Sequence, residues 1–350
     1  MAGGAGSRFW PLSTNECPKQ FLDPMGTGKS FIRNTFERFL TTIPIANFIV
    51  VTSAIYKDKI LEHIPELSES QVLLEPVRRN TAPCILYATK RIEAMCPNAN
   101  IVVAPSDHIV TNEIQFVQVV KEGLEFVANS DKLLTIGIKP SRPETGYGYI
   151  QIDPESRENG INKVKTFTEK PNKELAQVFV DSGEFLWNSG IFIWSVKAIE
   201  NAFKEFLPEL HSQFNTEKQI FNTADEQKFI DQIYPECNNI SIDYGIMEKT
   251  QNVYVRAADF GWSDVGTWGS VFTLMQKNEL GNATIGNALE YNCKDTIIRM
   301  PEGQVAIVDG LEGYLVVQQG PNLIICKQEN EQCIKNWVED VKFKFGEQYT

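Results

Sequence analysis

The sequence predicts an α/β protein, and three features carry that reading. Residues 47–52 (NFIVVT) and 100–104 (NIVVA) are unbroken apolar runs of strand length, as strands covered on both faces require. Between them Ile85, Ala88, Ile92 and Met95 recur at helical spacing, and Ile32, Phe36, Phe39 and Leu40 do the same one unit earlier. Strand and helix therefore alternate from residue 30 to about residue 275. Such alternation calls for crossover connections and gives a mixed, mainly parallel sheet flanked by helices.

After Asn282 the texture changes. Short strand-like runs at 296–300, 304–308, 314–317 and 322–326 are punctuated by Gly303, Gly310, Gly313 and Gly320. They predict a small C-terminal β-rich appendage, with a β-helix among the forms open to it, and residues 331–341 read as a closing helix. The strand intervals are too irregular to establish a repeat. The expected domains are 1–278 and 279–350.

The 350 residues carry Lys+Arg 33 against Asp+Glu 45, a formal net charge of −12. That balance argues against nucleic acid or an anionic membrane surface as a partner. The cysteines, Cys17, Cys84, Cys96, Cys237, Cys293, Cys326 and Cys333, are odd in number and never spaced as CxxC. They fit reduced thiols in the cytoplasm better than a disulfide framework or a zinc site. No apolar run reaches the ~18 residues of a membrane span, and Met1 leads into a Gly-rich stretch rather than a signal peptide. Secreted, membrane and fibrous classes are excluded on this reading.

The opening AGGAGSRFWP (2–11) is the most informative stretch. Glycines let the backbone reach positive φ and let amide N–H groups approach a phosphate, while Arg8 can add a charge-assisted fork. A flexible tail is the alternative. Lys19, in PKQF, is a second phosphate ligand or a solvated charge. GTGKS (26–30) imitates the end of a Walker A loop, but that spacing needs glycine where Asp23 stands, and no strand precedes it. A dinucleotide dehydrogenase is rejected because no GxGxxG follows a strand.

PSDH (105–108) follows the second apolar run, at the carboxyl end of a strand, where ligands bind in open parallel sheets. Asp107 is there a candidate hard-oxygen ligand for Mg²⁺, against the plain Asp/Ser turn, and His108 reads as structural. Asp264, in DFGWSDVGTW (259–268), is a second carboxylate between two tryptophans. Three central clusters, RPETGYGY (142–149), FTEKP (167–171) and WNSG (187–190), supply groups suited to sugar hydroxyls in Gly148, Glu169 and Asn188, with Lys170 for a sugar phosphate. A turn or a strand end explains each of them singly.

Taken in order, these segments resemble the sugar-phosphate nucleotidyltransferases, and more narrowly the bacterial mannose-1-phosphate guanylyltransferases. The resemblance rests on GGAGSRFWPLS with PKQF, EPVRRNTAP (75–83), PSDH, GIKPSRPETGYGYI (137–150), FTEKP, WNSGIFIW (187–194), SIDYGIMEK (241–249) and DFGWSDVGTW. It implies a Rossmann-like nucleotide-binding sheet in 1–278 and the reaction GTP + mannose 1-phosphate → GDP-mannose + pyrophosphate. It further implies that Gly3, Gly4, Gly6 and Arg8, with Ala2, Ser7, Thr81 and Ser106, bind the nucleotide, and that Lys19 bridges the reacting phosphates. Asp107 and Asp264 would hold Mg²⁺, and Glu75 or Asn80 would read the guanine edge. Tyr147, Gly148, Glu169, Lys170, Asn188 and Asp243 would line the sugar-phosphate pocket. Arg8, Lys19, Asp107 and Asp264 are the catalytic expectation.

The chemistry follows from charge. The sugar phosphate is already a nucleophile, so the barrier is anion–anion repulsion, which Mg²⁺, Arg8, Lys19 and loop amides would oppose while aligning in-line attack on the α-phosphorus. The resemblance also implies a homodimer and an apolar strand ahead of the Gly-rich loop. Because this chain opens at the loop itself, that strand is expected outside residues 1–350. Bifunctional relatives add an isomerase domain, for which this length leaves no room. Two alternatives stand beside this reading: a nucleotidyltransferase for another sugar 1-phosphate, and a non-catalytic nucleotide-sugar-binding regulatory module of the same fold.

Overall fold

The computed structural model describes residues 1–3, 6–216 and 219–350. In chain order the elements begin with α1 (Phe31–Leu40), β1 (Val50–Ser53), α2 (Lys57–His63), β2 (Val72–Glu75), α3 (Thr81–Met95), β3 (Asn100–Val103) and β4 (Ile109–Val110). There follow α4 (Glu113–Val127), β5 (Leu133–Ile138), β6 (Gly148–Ile152), β7 (Ile161–Glu169), α5 (Lys173–Ser182) and β8 (Phe185–Ser195). Next are α6 (Val196–Phe206), α7 (Pro208–Phe214), α8 (Glu226–Ile233), a π-helical turn at Asp243–Met247, β9 (Val253–Ala258), β10 (Trp262–Ser263) and α9 (Trp268–Leu274). The chain closes with β11 (Ala283–Ile285), β12 (Asn287–Tyr291), β13 (Ile297–Arg299), β14 (Val305–Asp309), β15 (Tyr314–Gln319), β16 (Asn322–Lys327) and α10 (Ile334–Phe345).

Two compact units result. The first holds residues 1–3, 37–105 and 110–262; the second holds 4–36, 106–109 and 263–350.

The first unit is α/β, as the alternation predicts. Its main sheet is six-stranded in the order β3-β8-β5-β9-β7-β6, and β1 and β2 pair separately, in parallel. The expected predominance of parallel pairs does not hold in the six-stranded sheet. Only β5 and β9 run parallel there, while β3–β8, β5–β8, β6–β7, β6–β8 and β7–β9 are antiparallel. The physical reason is that an apolar run records burial on both faces and says nothing about the direction of its neighbour. Apolar clusters follow the sheet. One gathers Leu86, Trp194, Phe203, Phe214 and Tyr234 with α3, α6 and α7; another gathers Phe116, Val120, Leu134, Ile136 and Phe260 with α4. Fully burying such side chains contributes about 1.5–3 kcal/mol each.

The second unit is built on parallel coils. Ala283 stacks in register on Ile297 and Ile297 on Leu315, Asn287 pairs with Val305, and β16 closes the sheet antiparallel to β15. The irregular strand spacing in the sequence is thus compatible with regular stacking, because the excursions lie in turns between strands. The core of this unit joins Phe9, Trp10 and Leu12 from the N-terminal segment to Val265 and Trp268 and to Leu315, Ile324, Ile334 and Val338. The Phe9 and Trp268 rings meet edge-on at 5.4 Å. Two motifs distant in sequence are thereby held by one apolar cluster.

Candidate active site

The phosphate-side candidates Gly6, Arg8, Lys19, Ser106, Asp107 and Asp264 lie in the second unit. Ser7–Phe9 form a 3₁₀ turn that starts from Gly6 in the left-handed region (φ 63°), and burial of Phe9 beneath it leaves Arg8 exposed. Arg8 makes no salt bridge among the described residues. Gly4 lies outside the described residues, and Gly3 is exposed in the first unit. Also in that unit, Ala2 makes a single parallel bridge to Thr52, its N–H donating to Val51 O at 2.9 Å, so the residues just before the loop run beside β1.

Lys19 sits in the 3₁₀ turn Lys19–Phe21 and is buried. Its Nζ lies 3.0 Å from Asp107 Oδ2 and donates to the backbone carbonyl of Asp264 at 2.5 Å. The three residues singled out from distant motifs therefore converge on one ammonium group. Asp264 Oδ1 accepts the Gly266 N–H at 3.1 Å. Burial pushes the Asp107 carboxyl up, yet the neighbouring Lys19 and His108 charges hold it below the ordinary range on balance. Ser106 is buried, and its carbonyl accepts the Thr35 hydroxyl at 3.3 Å. Asp107 and Asp264 each offer hard carboxylate oxygens of the kind that bind a divalent cation, and among the described residues no group of three or more His, Cys, Asp or Glu gathers at one metal position.

The sugar-side candidates lie in the first unit. Gly148 pairs with Glu169 across β6 and β7, and a Cβ at Gly148 would come 2.6 Å from Glu169 Oε2, so only glycine leaves that carboxylate its place. Glu169 pairs with exposed Lys170 at 3.0 Å, and Lys170 holds a positive φ of 45°. Asn188, on β8, donates through Nδ2 to Asp243 Oδ1 at 2.7 Å and accepts the Gly190 N–H on Oδ1 at 3.1 Å. Burial and the nearby Glu169 charge raise the Asp243 carboxyl, against the lowering effect of the Asn188 bond. Tyr147 is buried edge-on between Trp187 and Trp262, at 5.2 Å from each.

Of the base-reading candidates, also in the first unit, Glu75 ends β2 as a buried carboxylate that accepts the Tyr234 hydroxyl. Burial raises the Glu75 carboxyl, and both burial and the adjacent acid raise the Tyr234 phenol. Asn80 caps α3, its Oδ1 accepting the Thr81 N–H at 2.9 Å from an unusual φ of 68°. Thr81 turns its hydroxyl to Ile242, whose N–H it accepts at 2.8 Å.

Sequence reasoning passed over Tyr234. It stands in a YPEC stretch with no motif, and only the tertiary structure brings it to Glu75. The π-helical turn that begins at Asp243 was equally hidden, although such turns are frequent at functional sites.

Comparison with known proteins identifies the family. Residues 1–280 match the nucleotidyl transferase family. The chain is 33% identical over 347 residues to the mannose-1-phosphate guanylyltransferase of Escherichia coli, covering 97% of this chain and 74% of that protein. It is 35% identical over 357 residues to that of Salmonella montevideo, covering 98% and 73%. Among solved structures, one described as a mannose-1-phosphate geranyltransferase from Thermus thermophilus superposes with a TM-score of 0.87 at 26% identity, over 98% of both chains. No helix among the described residues is long and apolar enough to cross a membrane. The chain belongs to the nucleotidyl transferase family.

Proposed function

We propose that this chain joins GTP to mannose 1-phosphate, giving GDP-mannose and pyrophosphate. The observation that carries the reading is the convergence of Asp107 and the Asp264 backbone on Lys19 Nζ. An attacking phosphate and a triphosphate repel each other, so the chain needs cations at the reacting groups more than it needs a protein nucleophile. Arg8 and Lys19 supply two, and the amides of Gly6 and Ser7 orient the nucleotide phosphates beside Ser106. Asp107 and Asp264 would hold Mg²⁺, which would neutralise phosphate charge when bound. Glu75, with Asn80 close in sequence, presents an acceptor to guanine N1–H and N2–H₂, a donor pair that adenine lacks.

On the sugar side, Glu169 and Asn188 bond hydroxyls, Gly148 leaves them room, Tyr147 walls the pocket, and Lys170 attracts the phosphate. Asp243 keeps the Asn188 amide in one orientation. Similarity over 97–98% of this chain and 73–74% of enzymes named for mannose 1-phosphate supports this choice of sugar over another. The cysteines, all reduced thiols in the fold, support a cytoplasmic setting. The test is pyrophosphate release by the purified chain with Mg²⁺, run over GTP, ATP, UTP and dTTP and over mannose, glucose and galactose 1-phosphates. Fastest release from GTP with mannose 1-phosphate is expected. Binding of GDP-mannose without any turnover would replace the enzyme by a regulatory module, and a preference for another pair would change the substrates.

A further inference from the structure

Thr81 belongs to the motif at 75–83, which the resemblance places on the nucleotide side, yet its hydroxyl serves a different segment. Thr81 Oγ1 accepts the Ile242 N–H at 2.8 Å, and one residue on, the Ala82 N–H donates to Ile240 O at 3.1 Å. These bonds fasten the start of α3 to the segment that immediately precedes the π-helical turn Asp243–Met247.

The next residue after Ile242 is Asp243, whose Oδ1 accepts the hydrogen bond from Asn188 Nδ2 at 2.7 Å. The other end of the Asn188 amide accepts from Gly190 N–H at 3.1 Å. With an acceptor at one end and a donor at the other, flipping the amide would set donor against donor and acceptor against acceptor. The orientation is therefore fixed, and the second Nδ2 proton, which has no acceptor among the described residues, keeps one direction. A hydrogen-bonding group aimed at a substrate hydroxyl loses its worth when displaced by about an ångström.

We propose that Thr81 is a positioning residue for the sugar-phosphate pocket: its hydroxyl pins Ile242, which sets Asp243, which orients Asn188. The inference rests on the function proposed above. It has a directional consequence, because an alteration within the nucleotide-side motif is then felt by the sugar phosphate rather than by the nucleotide.

The experiment compares Thr81→Val, which keeps the shape and removes the acceptor, with Thr81→Ser, which keeps the hydroxyl. Pyrophosphate release is measured with each substrate varied while the other saturates. Thr81→Val is expected to raise KM for mannose 1-phosphate about tenfold, the scale of one neutral hydrogen bond. KM for GTP should stay within about twofold by the same scale, and Thr81→Ser should restore wild-type values. Adding Thr81→Val to Asp243→Ala should cost little beyond Asp243→Ala alone, since both break one chain of contacts. Should Thr81→Val not fold, Thr81→Cys, whose thiol is a weak acceptor, is read in the same way. An unchanged sugar-phosphate KM, an equal rise in both KM values, or failure of Thr81→Ser to restore them overturns the positioning role. Wild-type protein that releases no pyrophosphate from GTP and mannose 1-phosphate overturns the function itself, so the two failures are distinguishable.

Discussion

Gly6 and Lys19 pack so closely that a Cβ on the glycine would lie 2.4 Å from Lys19 Cβ. The contact presses the glycine-rich loop against the stem of the lysine whose ammonium meets Asp107. Gly6 also has φ 63°, where an L side chain is strained by roughly 1–2 kcal/mol. Gly6→Ala is therefore expected to lower the melting temperature and to cut pyrophosphate release at least about tenfold, the scale of 1.4 kcal/mol in the barrier. Thermal melts and initial rates check it. Wild-type values in both would mean that the loop does not depend on this contact.

Asp107 gives a pH signature. Its carboxyl is held below the ordinary value of 3.8 in the fold, burial being outweighed by Lys19 and His108. A depressed folded value means that the unfolded chain takes up the proton first. The pair's contribution is thus present above 3.8 and lost as pH falls through the lower folded value. Urea unfolding from pH 5 down to about 2.5 should show wild-type stability falling more steeply than that of Asp107→Asn. At neutral pH the same variant should turn over at least ~10²-fold more slowly, the scale of losing one transition-state contact. Parallel acid limbs in the two proteins would remove the ion pair from the account.

Glu75 has the opposite sign. Burial raises its carboxyl above the ordinary 4.5, against the pull of the Tyr234 hydrogen bond. The group's contribution to stability is full below 4.5 and is lost as pH rises through the folded value, because the fold then confines a charge that the unfolded chain would hydrate. Glu75→Gln should therefore gain stability relative to wild type as pH climbs toward neutrality. If Glu75 reads guanine, the preference for GTP over ATP should also drop by about tenfold or more, the scale of a lost hydrogen-bonding partner. Unaltered base preference together with the stability gain would leave Glu75 a core residue only.

Gly148 separates pocket from fold. The Cβ of Gly148→Ala meets the flexible end of Glu169, so the side chain can swing aside with little effect on melting temperature. Swinging moves the carboxylate from its place opposite Gly148 and disturbs its 3.0 Å pairing with Lys170. KM for mannose 1-phosphate should rise about tenfold, as for one lost hydrogen bond, while KM for GTP holds. A rise confined to GTP would place Glu169 on the nucleotide side.

Much of the architecture was legible because burial and periodicity leave direct marks. The runs at 47–52 and 100–104 became β1 and β3, the spaced apolar residues became α1 and α3, and the C-terminal runs became β13 to β16. Strand direction in the six-stranded sheet was not legible, and neither were β11 and β12, whose residues NATIGNALEY carry no continuous apolar run. The identities of Lys19, Asp107 and Asp264 were readable from charge and motif. That they share one ammonium contact was not, since it depends on Phe9, Trp268 and the C-terminal coils packing into one core.

The chain by itself determined the kinds of groups available: a glycine-rich loop with an arginine, a lysine, two separated aspartates, and a set of carboxylates and amides suited to hydroxyls. The tertiary structure decided which partners those groups meet. Lys19 faces Asp107, the Glu75 carboxylate meets a tyrosine from an unmarked stretch, and the Thr81 hydroxyl is spent on the Ile242 amide. The reason is range. Periodicity and turn chemistry act over a few neighbouring residues, whereas hydrogen bonds and ion pairs form between whichever groups the packed core brings within about 3 Å.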